Sequence, residues 1–287
     1  MKQDIHLDVK YDENNRQTFS ILGHDVTRVV SDLTQRGKGN VPESLVDPHM
    51  WQKAGCIELA LRNSEIFRST ISNEREILNI DGMSSHKVRH FLNLICSSNI
   101  FNEKNYFEIG CASGSTYISS NFKSDLNSSY VCDLFLESKN GVDGREVFLE
   151  NCLNILGYVP ENIFNEDCFN IDLDKFNDKI NMYFYDGDHS VKSHEKALTY
   201  FEKIFDDTVL VIIDDWDDWR VQLGTLVGLS KIDYDIQTWS TAPGRTGFLE
   251  LNSIIIKKHG LILNDKEPFG DISRWWNGLM IMLLKKR

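Results

Sequence analysis

The sequence lacks the features that mark membrane proteins and nucleic-acid-binding proteins. No apolar run is long enough to span a bilayer, and residues 1–4 do not open a signal peptide. There is no run of lysine or arginine, and the net charge is −12, whereas nucleic-acid phosphates require a basic face. We therefore expect a cytoplasmic protein that binds neither a membrane nor nucleic acid.

The cysteines predict neither a zinc site nor a disulfide framework. They are scattered along the chain without a CxxC pair, at Cys56, Cys96, Cys111, Cys132, Cys152 and Cys168. Structural zinc sites and disulfide-rich domains both require recurrent spacings that are missing here. Most of the six lie in apolar surroundings, so we interpret them as buried thiols in a reducing compartment.

A glycine loop follows a short apolar segment at residues 105–109, which predicts a strand. The loop, residues 110–116 (GCASGST), has glycines at 110 and 114, which permit a tight strand-to-helix turn and a close approach of a ligand to the backbone. It lacks the lysine of a phosphate-binding loop and the third glycine of a GxGxxG fingerprint. A loop without phosphate-binding features favours a nucleoside ligand that carries no phosphate.

Two further predicted strands also end in acidic residues. Asp133 follows the strand at 129–132, where a carboxylate can accept hydrogen bonds from both hydroxyls of a ribose. Residues 166–169 (EDCF) follow a third apolar segment, where Asp167 and its neighbours could meet an adenine ring. The two strand ends extend the predicted nucleoside site beyond the glycine loop.

The stretch from residue 181 to residue 220 predicts a strand, a helix and a strand. Apolar runs at 182–185 and 209–213 each end in acidic residues, and the segment between them has apolar positions at helical spacing. Because parallel strands present their carboxyl ends at one sheet edge, we expect Asp186, His189, Asp214 and Asp215 to converge there. Three carboxylates and an imidazole indicate a divalent cation beside a general base.

The predicted fold class is α/β, with a doubly wound, mostly parallel sheet, an antiparallel C-terminal strand and a mainly helical N-terminal extension. We place the extension at residues 1–80, with a hairpin between 6–11 and 18–22 and a helix from 47–48. A second domain, 81–287, would open with a serine-capped helix after residues 84–85. The early helices could either cover the edge of the core or close over a cofactor.

Together these motifs resemble class I S-adenosylmethionine (SAM) dependent methyltransferases over about residues 80–287. The segments DGDHS at 186–190 and IDDW at 213–216 more narrowly resemble metal-dependent O-methyltransferases that act on macrolide sugars. The resemblance implies a Rossmann-like fold, SAM as cofactor, Mg2+ bound by Asp186, Asp214 and Asp215, and His189 as the base. The implied cofactor-binding residues are Glu108, Gly110, Gly114, Ser115, Asp133, Asp167, Cys168 and Asp186.

The resemblance also implies a small, polar, sugar-like acceptor and permits a homo-oligomer. Many family members have Pro-Gly-Gly before the fifth strand, whereas this chain has FDDT at 205–208, which we interpret as a turn at the far edge of the sheet. Two other functions stay open: a SAM-binding protein without transferase activity, and a nicotinamide-dependent oxidoreductase. The missing third glycine counts against the oxidoreductase.

Several side chains near the motifs allow more than one interpretation. Any single acid at a strand end could simply cap a turn or a helix, and His194 is predicted to lie on the surface. Trp216 and Trp219 could stack on a sugar face over the acceptor pocket, or they could pack on the next helix. Arg245, in a glycine-containing loop, could bind an anionic part of the acceptor.

Overall fold

The computed structural model describes residues 7–14, 16–21, 23–36, 48–136, 141–242, 275 and 277–287. The chain begins with a small antiparallel sheet of β1 (Leu7–Tyr11), β2 (Gln17–Ile21) and β3 (His24–Asp25), followed by α1 (Thr27–Arg36). Leu7 of β1 lies opposite Ile21 of β2, so the predicted hairpin is confirmed.

Three helices precede the main sheet: α2 (Pro48–Glu65), the short α3 (Arg75–Leu78) and α4 (His86–Ser97). The Ser85 side chain accepts a hydrogen bond from the backbone N–H of Val88, which satisfies one of the free donors in the first turn of α4. The predicted inner stripe of α4 is confirmed, because its members are all buried: Val88, Phe91, Leu92 and Ile95.

The main sheet has seven strands in the order β6-β5-β4-β7-β8-β10-β9. They are β4 (Asn105–Ile109), β5 (Ser128–Cys132), β6 (Asn162–Phe164), β7 (Ile180–Tyr185), β8 (Phe205–Ile213), β9 (Tyr234–Ala242) and β10 (Leu279–Lys286). Strands β4 to β8 pair in parallel, whereas β10 runs antiparallel to both of its neighbours. The fold is therefore the predicted mostly parallel Rossmann-like sheet with an antiparallel C-terminal strand.

Helices cover both faces of this sheet: α5 (Ser115–Asn121), α6 (Gly144–Leu156), α7 (Val191–Thr199) and α8 (Trp219–Lys231) join α1 and α4. Strand β7 shows the arrangement, because Tyr183 and Tyr185 belong to one buried apolar cluster and Met182 and Phe184 belong to the other. Successive side chains of a strand point to opposite faces, so an unbroken apolar strand requires cover on both sides.

The interpretation of residues 205–208 as a turn is wrong, because they form the beginning of β8. The register explains the difference: Phe205 pairs with Ile180 of β7, and Thr208 pairs with Lys285 of β10. Partners on both sides extend the hydrogen-bonded ladder past the exposed Asp207.

The N-terminal part of the chain contacts the free edge of the main sheet. The indole N–H of Trp239 in β9 donates to the carbonyl of Leu33 in α1 at 3.0 Å, and Arg28 donates to the carbonyl of Tyr234. Helix α1 therefore covers an edge strand that would otherwise offer unpaired backbone groups. The boundary expected near residue 80 stays a prediction.

Within the part of the chain that the structure describes, no helix combines the length and the apolar character needed to cross a membrane.

Candidate active site

A cavity of about 290 Å³ lies at the carboxyl ends of the parallel strands, where open α/β sheets bind ligands. The predicted site residues that line it are Gly110, Ser115, Asp133, Asp186, His189, Asp214 and Asp215. Glu108, Gly114, Asp167 and Cys168 do not line it. The structure thus brings the glycine loop and the acidic strand ends to one cavity, although each of these residues' role in binding stays a prediction.

The glycine loop makes the tight strand-to-helix turn that its sequence predicts. Gly110 has φ +88°, and a Cβ atom built on it would lie 1.8 Å from the carbonyl oxygen of Asp186. Gly114, with φ +94°, opens α5, and a Cβ atom there would lie 2.9 Å from the Phe148 ring. Only glycine satisfies both the backbone angle and the close approach at these positions.

Glu108 lies beneath the loop, fully buried, and does not face the cavity. Its carboxylate accepts hydrogen bonds from the Tyr106 hydroxyl at 2.6 Å and the Thr116 hydroxyl at 2.5 Å. Burial raises the pKa of Glu108 to about 8, partly offset by these two bonds. Since Thr116 belongs to the first turn of α5, Glu108 holds this helix against β4.

The acids at the ends of β5 and β6 occupy different surroundings. Asp133 lines the cavity and accepts backbone hydrogen bonds from Ala112 at 2.8 Å and Phe135 at 2.7 Å. A carboxylate has about four acceptor positions, so Asp133 keeps capacity for the hydroxyls of a sugar. Asp167 instead caps a one-turn helix by accepting from the N–H of Phe169 at 2.9 Å.

Asp186, His189 and Asp215 form a compact group of possible metal ligands. Each offers one ligand atom, and these atoms lie within 4.8 Å of one another. Nε2 of His189 lies 2.6 Å from Oδ2 of Asp215, and this hydrogen bond is the main reason that the pKa of His189 is raised. Desolvation and then repulsion by Asp215 raise the pKa of Asp186 to about 7.

Asp214 lies beside this group and is buried. Burial, followed by repulsion from Asp186 and Asp215, raises the pKa of its carboxyl well above the usual range. Among the described residues, Oδ1 of Asp214 has no hydrogen-bond partner. Buried polar atoms are rarely left without a partner, and a cation is a natural partner for clustered carboxylates. The donor set therefore fits a divalent cation.

Asn277 is a cavity residue that the sequence analysis missed. Its amide Nδ2 donates to Oδ1 of Asp215, from a loop 62 residues away in sequence. The signal available in the sequence was the Asn277-Gly278 pair before the last strand, since this dipeptide tolerates left-handed backbone. Asn277 does adopt φ +51°, but only the sheet register brings it to Asp215.

The loop between α3 and α4 covers the glycine loop. Met83, Ser84 and Ser85 line the cavity, and the Ser84 hydroxyl lies 3.0 Å from the hydroxyl of Ser115. The buried Arg89 donates to Ser84 through Nε at 2.9 Å. The early helices were expected either to cover the edge of the core or to close over a cofactor. The structure places the start of α4 at the cavity wall.

Three further side chains near the motifs, those of His194, Trp216 and Trp219, do not line the cavity. His194 is buried rather than exposed, and its ring packs edge-on against Tyr185 with centroids 4.9 Å apart, so that prediction is wrong. Burial lowers the pKa of His194 to about 4. Trp216 belongs to the buried core, and Trp219, the first residue of α8, packs against that core; neither lines the cavity. Arg245 lies outside the described residues.

No protein-family model matches the chain, and no curated protein sequence matches it. Among solved structures, it is similar to a proposed RNA methyltransferase from Pyrococcus horikoshii (TM-score 0.45, 13% identity, covering 80% of this chain and 97% of that one). It is also similar to the O-methyltransferase from Bacillus cereus in complex with SAH (TM-score 0.46, 14% identity, covering 80% and 91%). TrmN from Thermus thermophilus is a further match (TM-score 0.45, 10% identity), with 75% of this chain spanning 53% of that protein. The function proposed below rests on the residues of this chain.

Proposed function

We propose that the protein is a SAM-dependent O-methyltransferase that methylates a hydroxyl of a polar acceptor, such as a sugar or a glycosylated metabolite. Mg2+ and His189 assist the transfer. The observation that carries this proposal is that a single cavity is lined by the glycine loop, by Asp133 and by the group Asp186, His189 and Asp215. A nucleoside site and a cation site that share one cavity suit a reaction between a nucleoside cofactor and a hydroxyl.

The charge of the cavity supports a sulfonium cofactor. Acidic side chains line it, and no lysine or arginine occurs among the described residues that do so. A positively charged sulfonium is attracted to such surroundings, whereas a phosphate would be repelled. Asp133 lies beside the glycine loop and would accept the ribose hydroxyls. The net charge of −12 also supports a small acceptor over nucleic acid.

The carboxylates of Asp186, Asp214 and Asp215 would hold Mg2+. Held there, the cation would supply Lewis-acid chemistry that makes the loss of a proton from an acceptor hydroxyl easier. Desolvation, followed by repulsion from Asp215, raises the pKa of Asp186, and a cation held by these three carboxylates would offset that repulsion.

We assign to His189 the role of the base that takes the proton of the acceptor hydroxyl. When its Nε2–H donates to Oδ2 of Asp215, Nδ1 is the nitrogen left to accept a proton. In the transfer, the acceptor oxygen bonds to the methyl carbon as the carbon–sulfur bond breaks, S-adenosylhomocysteine leaves, and the proton moves to His189. The Asp215 carboxylate then stabilises the imidazolium.

The direct test is transfer of label from methyl-labelled SAM to a panel of glycosides and polyols, with Mg2+ or with EDTA. We expect a labelled methyl ether whose formation falls about 100-fold or more in His189→Gln, the range that general bases contribute. Label transfer that is indifferent to both EDTA and this substitution would contradict the assigned roles. Tight SAM binding without transfer to any acceptor would favour a SAM-binding protein.

A further inference from the structure

Two side-chain contacts hold Asp215 just beyond the end of β8. Its backbone is left-handed, with φ +53°, its Oδ2 meets Nε2 of His189 at 2.6 Å, and its Oδ1 accepts from the amide of Asn277. Each oxygen of the Asp215 carboxylate therefore takes part in one hydrogen bond, and the two bonds together fix the plane of the carboxylate. Each oxygen keeps a second lone pair, which stays available to another ligand.

The loop that carries Asn277 is joined to the loop after β8 by backbone hydrogen bonds. The N–H of Trp216 donates to the carbonyl of Gly278 at 3.1 Å, and the N–H of Asp217 donates to the carbonyl of Asn277 at 2.8 Å. These bonds continue the pairing of β8 with β10, in which Met280 lies opposite Ile213. The position of the Asn277 side chain is thus set by the sheet itself.

The chemistry of an amide suits this position. Asp215 lies in a cavity with Asp186 and Asp214, and a carboxylate in such company is repelled by its neighbours. A hydrogen-bond donor on Oδ1 holds the Asp215 carboxylate in place. Because the amide is neutral, it does so without a positive charge that would compete with a cation for the same carboxylates.

We propose that Asn277 is a positioning residue that fixes the Asp215 carboxylate in the orientation needed to bind a divalent cation and to orient His189. The inference rests on the proposed function, since it concerns the cation site of that reaction. Asn277 acts through Asp215 and is not itself a base or a cation ligand in this assignment.

The test is the affinity for Mn2+, followed through the paramagnetic signal of the free ion, with the affinity for S-adenosylhomocysteine measured by calorimetry on the same samples. The variant is Asn277→Gly, because glycine accepts the left-handed backbone and keeps the carbonyl bond to Asp217 while removing only the amide. Asn73→Gly, at an exposed turn after α2, is the matched control.

We expect the affinity of Asn277→Gly for Mn2+ to fall about 10- to 100-fold, the effect typical of residues that orient metal ligands. Its affinity for S-adenosylhomocysteine should stay within about twofold of the parent, and Asn73→Gly should match the parent in both. Equal Mn2+ affinity in the parent and in folded Asn277→Gly would overturn the role of Asn277 and leave the proposed function standing.

Two further outcomes separate the inference from the function on which it rests. A parent protein that does not bind Mn2+ would overturn both the cation site and the role of Asn277. If Asn277→Gly does not fold, Asn277→Ser replaces it, since a serine hydroxyl is too short to replace the amide bond. The expected loss of Mn2+ affinity is then the same, and an unchanged affinity again contradicts the proposal.

Discussion

A Cβ atom built on Gly110 would lie 1.8 Å from the carbonyl oxygen of Asp186, far inside any permitted contact. The N–H of Asp186 in turn donates to the carbonyl of Ile109 at 2.9 Å. The glycine loop after β4 and the acidic group after β7 are therefore in direct backbone contact. We therefore expect a change in one to disturb the other, which would couple the proposed cofactor site to the proposed cation site.

Gly110→Ala should destabilise the fold strongly and weaken binding of S-adenosylhomocysteine. The left-handed backbone alone costs about 1–3 kcal/mol for a residue with a Cβ, and the overlap with Asp186 adds to this cost. Gly157→Ala is the matched control, because Gly157 has a similar φ of +79° with no atom near its Cβ position. Urea unfolding of both variants measures the free energy of unfolding, and the difference between them reports the overlap with Asp186. Equal losses in the two variants would contradict a cost from that overlap.

In the metal-free protein, Asp186 should make a contribution to stability that is lost as the pH rises from about 4 to about 7. Desolvation, followed by repulsion from Asp215, raises the pKa of Asp186 from 3.8 to about 7. In that interval the folded state therefore holds a proton that the unfolded chain has released, and the free energy of unfolding falls with pH. The contribution of His189 is lost at higher pH, above about 6.5, because its pKa is raised from 6.5, chiefly by its hydrogen bond with Asp215.

Asp186→Asn should remove this contribution, because an amide does not titrate, and saturating Mg2+ should reduce it in the parent, because a bound cation favours the ionised carboxylate. Thermal unfolding at several pH values, with Mg2+ and with EDTA, measures the slope. Asp188→Asn is the control, since hydrogen bonds from Ser190 and Ser193 lower the pKa of the exposed Asp188, which is ionised throughout the interval. Identical slopes for the parent and for Asp186→Asn would contradict the raised pKa.

Arg89→Met should weaken binding of S-adenosylhomocysteine about tenfold, equivalent to about 1.4 kcal/mol. The substitution removes the donors to Ser84 and to the carbonyls of Ile77 and Leu78, and so loosens the loop that covers the glycine loop. Calorimetry on the folded variant measures the effect. Arg75→Met, on the exposed side of α3, should bind like the parent, and an unaltered affinity in Arg89→Met would show that the loop does not contribute.

Local patterns in the sequence were sufficient to predict the mostly parallel sheet and many of the residues that line the cavity. Helix α7 lies between β7 and β8 as the helical spacing of that segment predicts, and the acids after β7 and β8 meet because parallel strands end at one edge. The prediction that His194 lies on the surface is wrong because its burial depends on α8. A Cβ atom on Gly224 of that helix would lie 2.6 Å from the Cβ of His194. No local spacing reports such a contact between helices.

Asn277 illustrates the same limit within the candidate site. Its own segment indicates only a turn before an apolar strand, and its partner Asp215 belongs to a separate motif. The two meet because β10 inserts between β8 and β9 in an antiparallel sense, a pairing whose register depends on the whole sheet. The acidic residues at each strand end could be predicted from the sequence, whereas the residue that orients Asp215 could be identified only from the fold.

The most direct test of the account is calorimetric titration of S-adenosylhomocysteine into the protein, with Mg2+ and with excess EDTA, beside direct measurement of Mg2+ uptake. We predict that the nucleoside binds in both conditions, that the parent takes up Mg2+, and that Asp214→Ala loses Mg2+ while it still binds the nucleoside. Failure of S-adenosylhomocysteine to bind in either condition, above all with binding of NAD in its place, would contradict the assignment as a SAM-dependent methyltransferase.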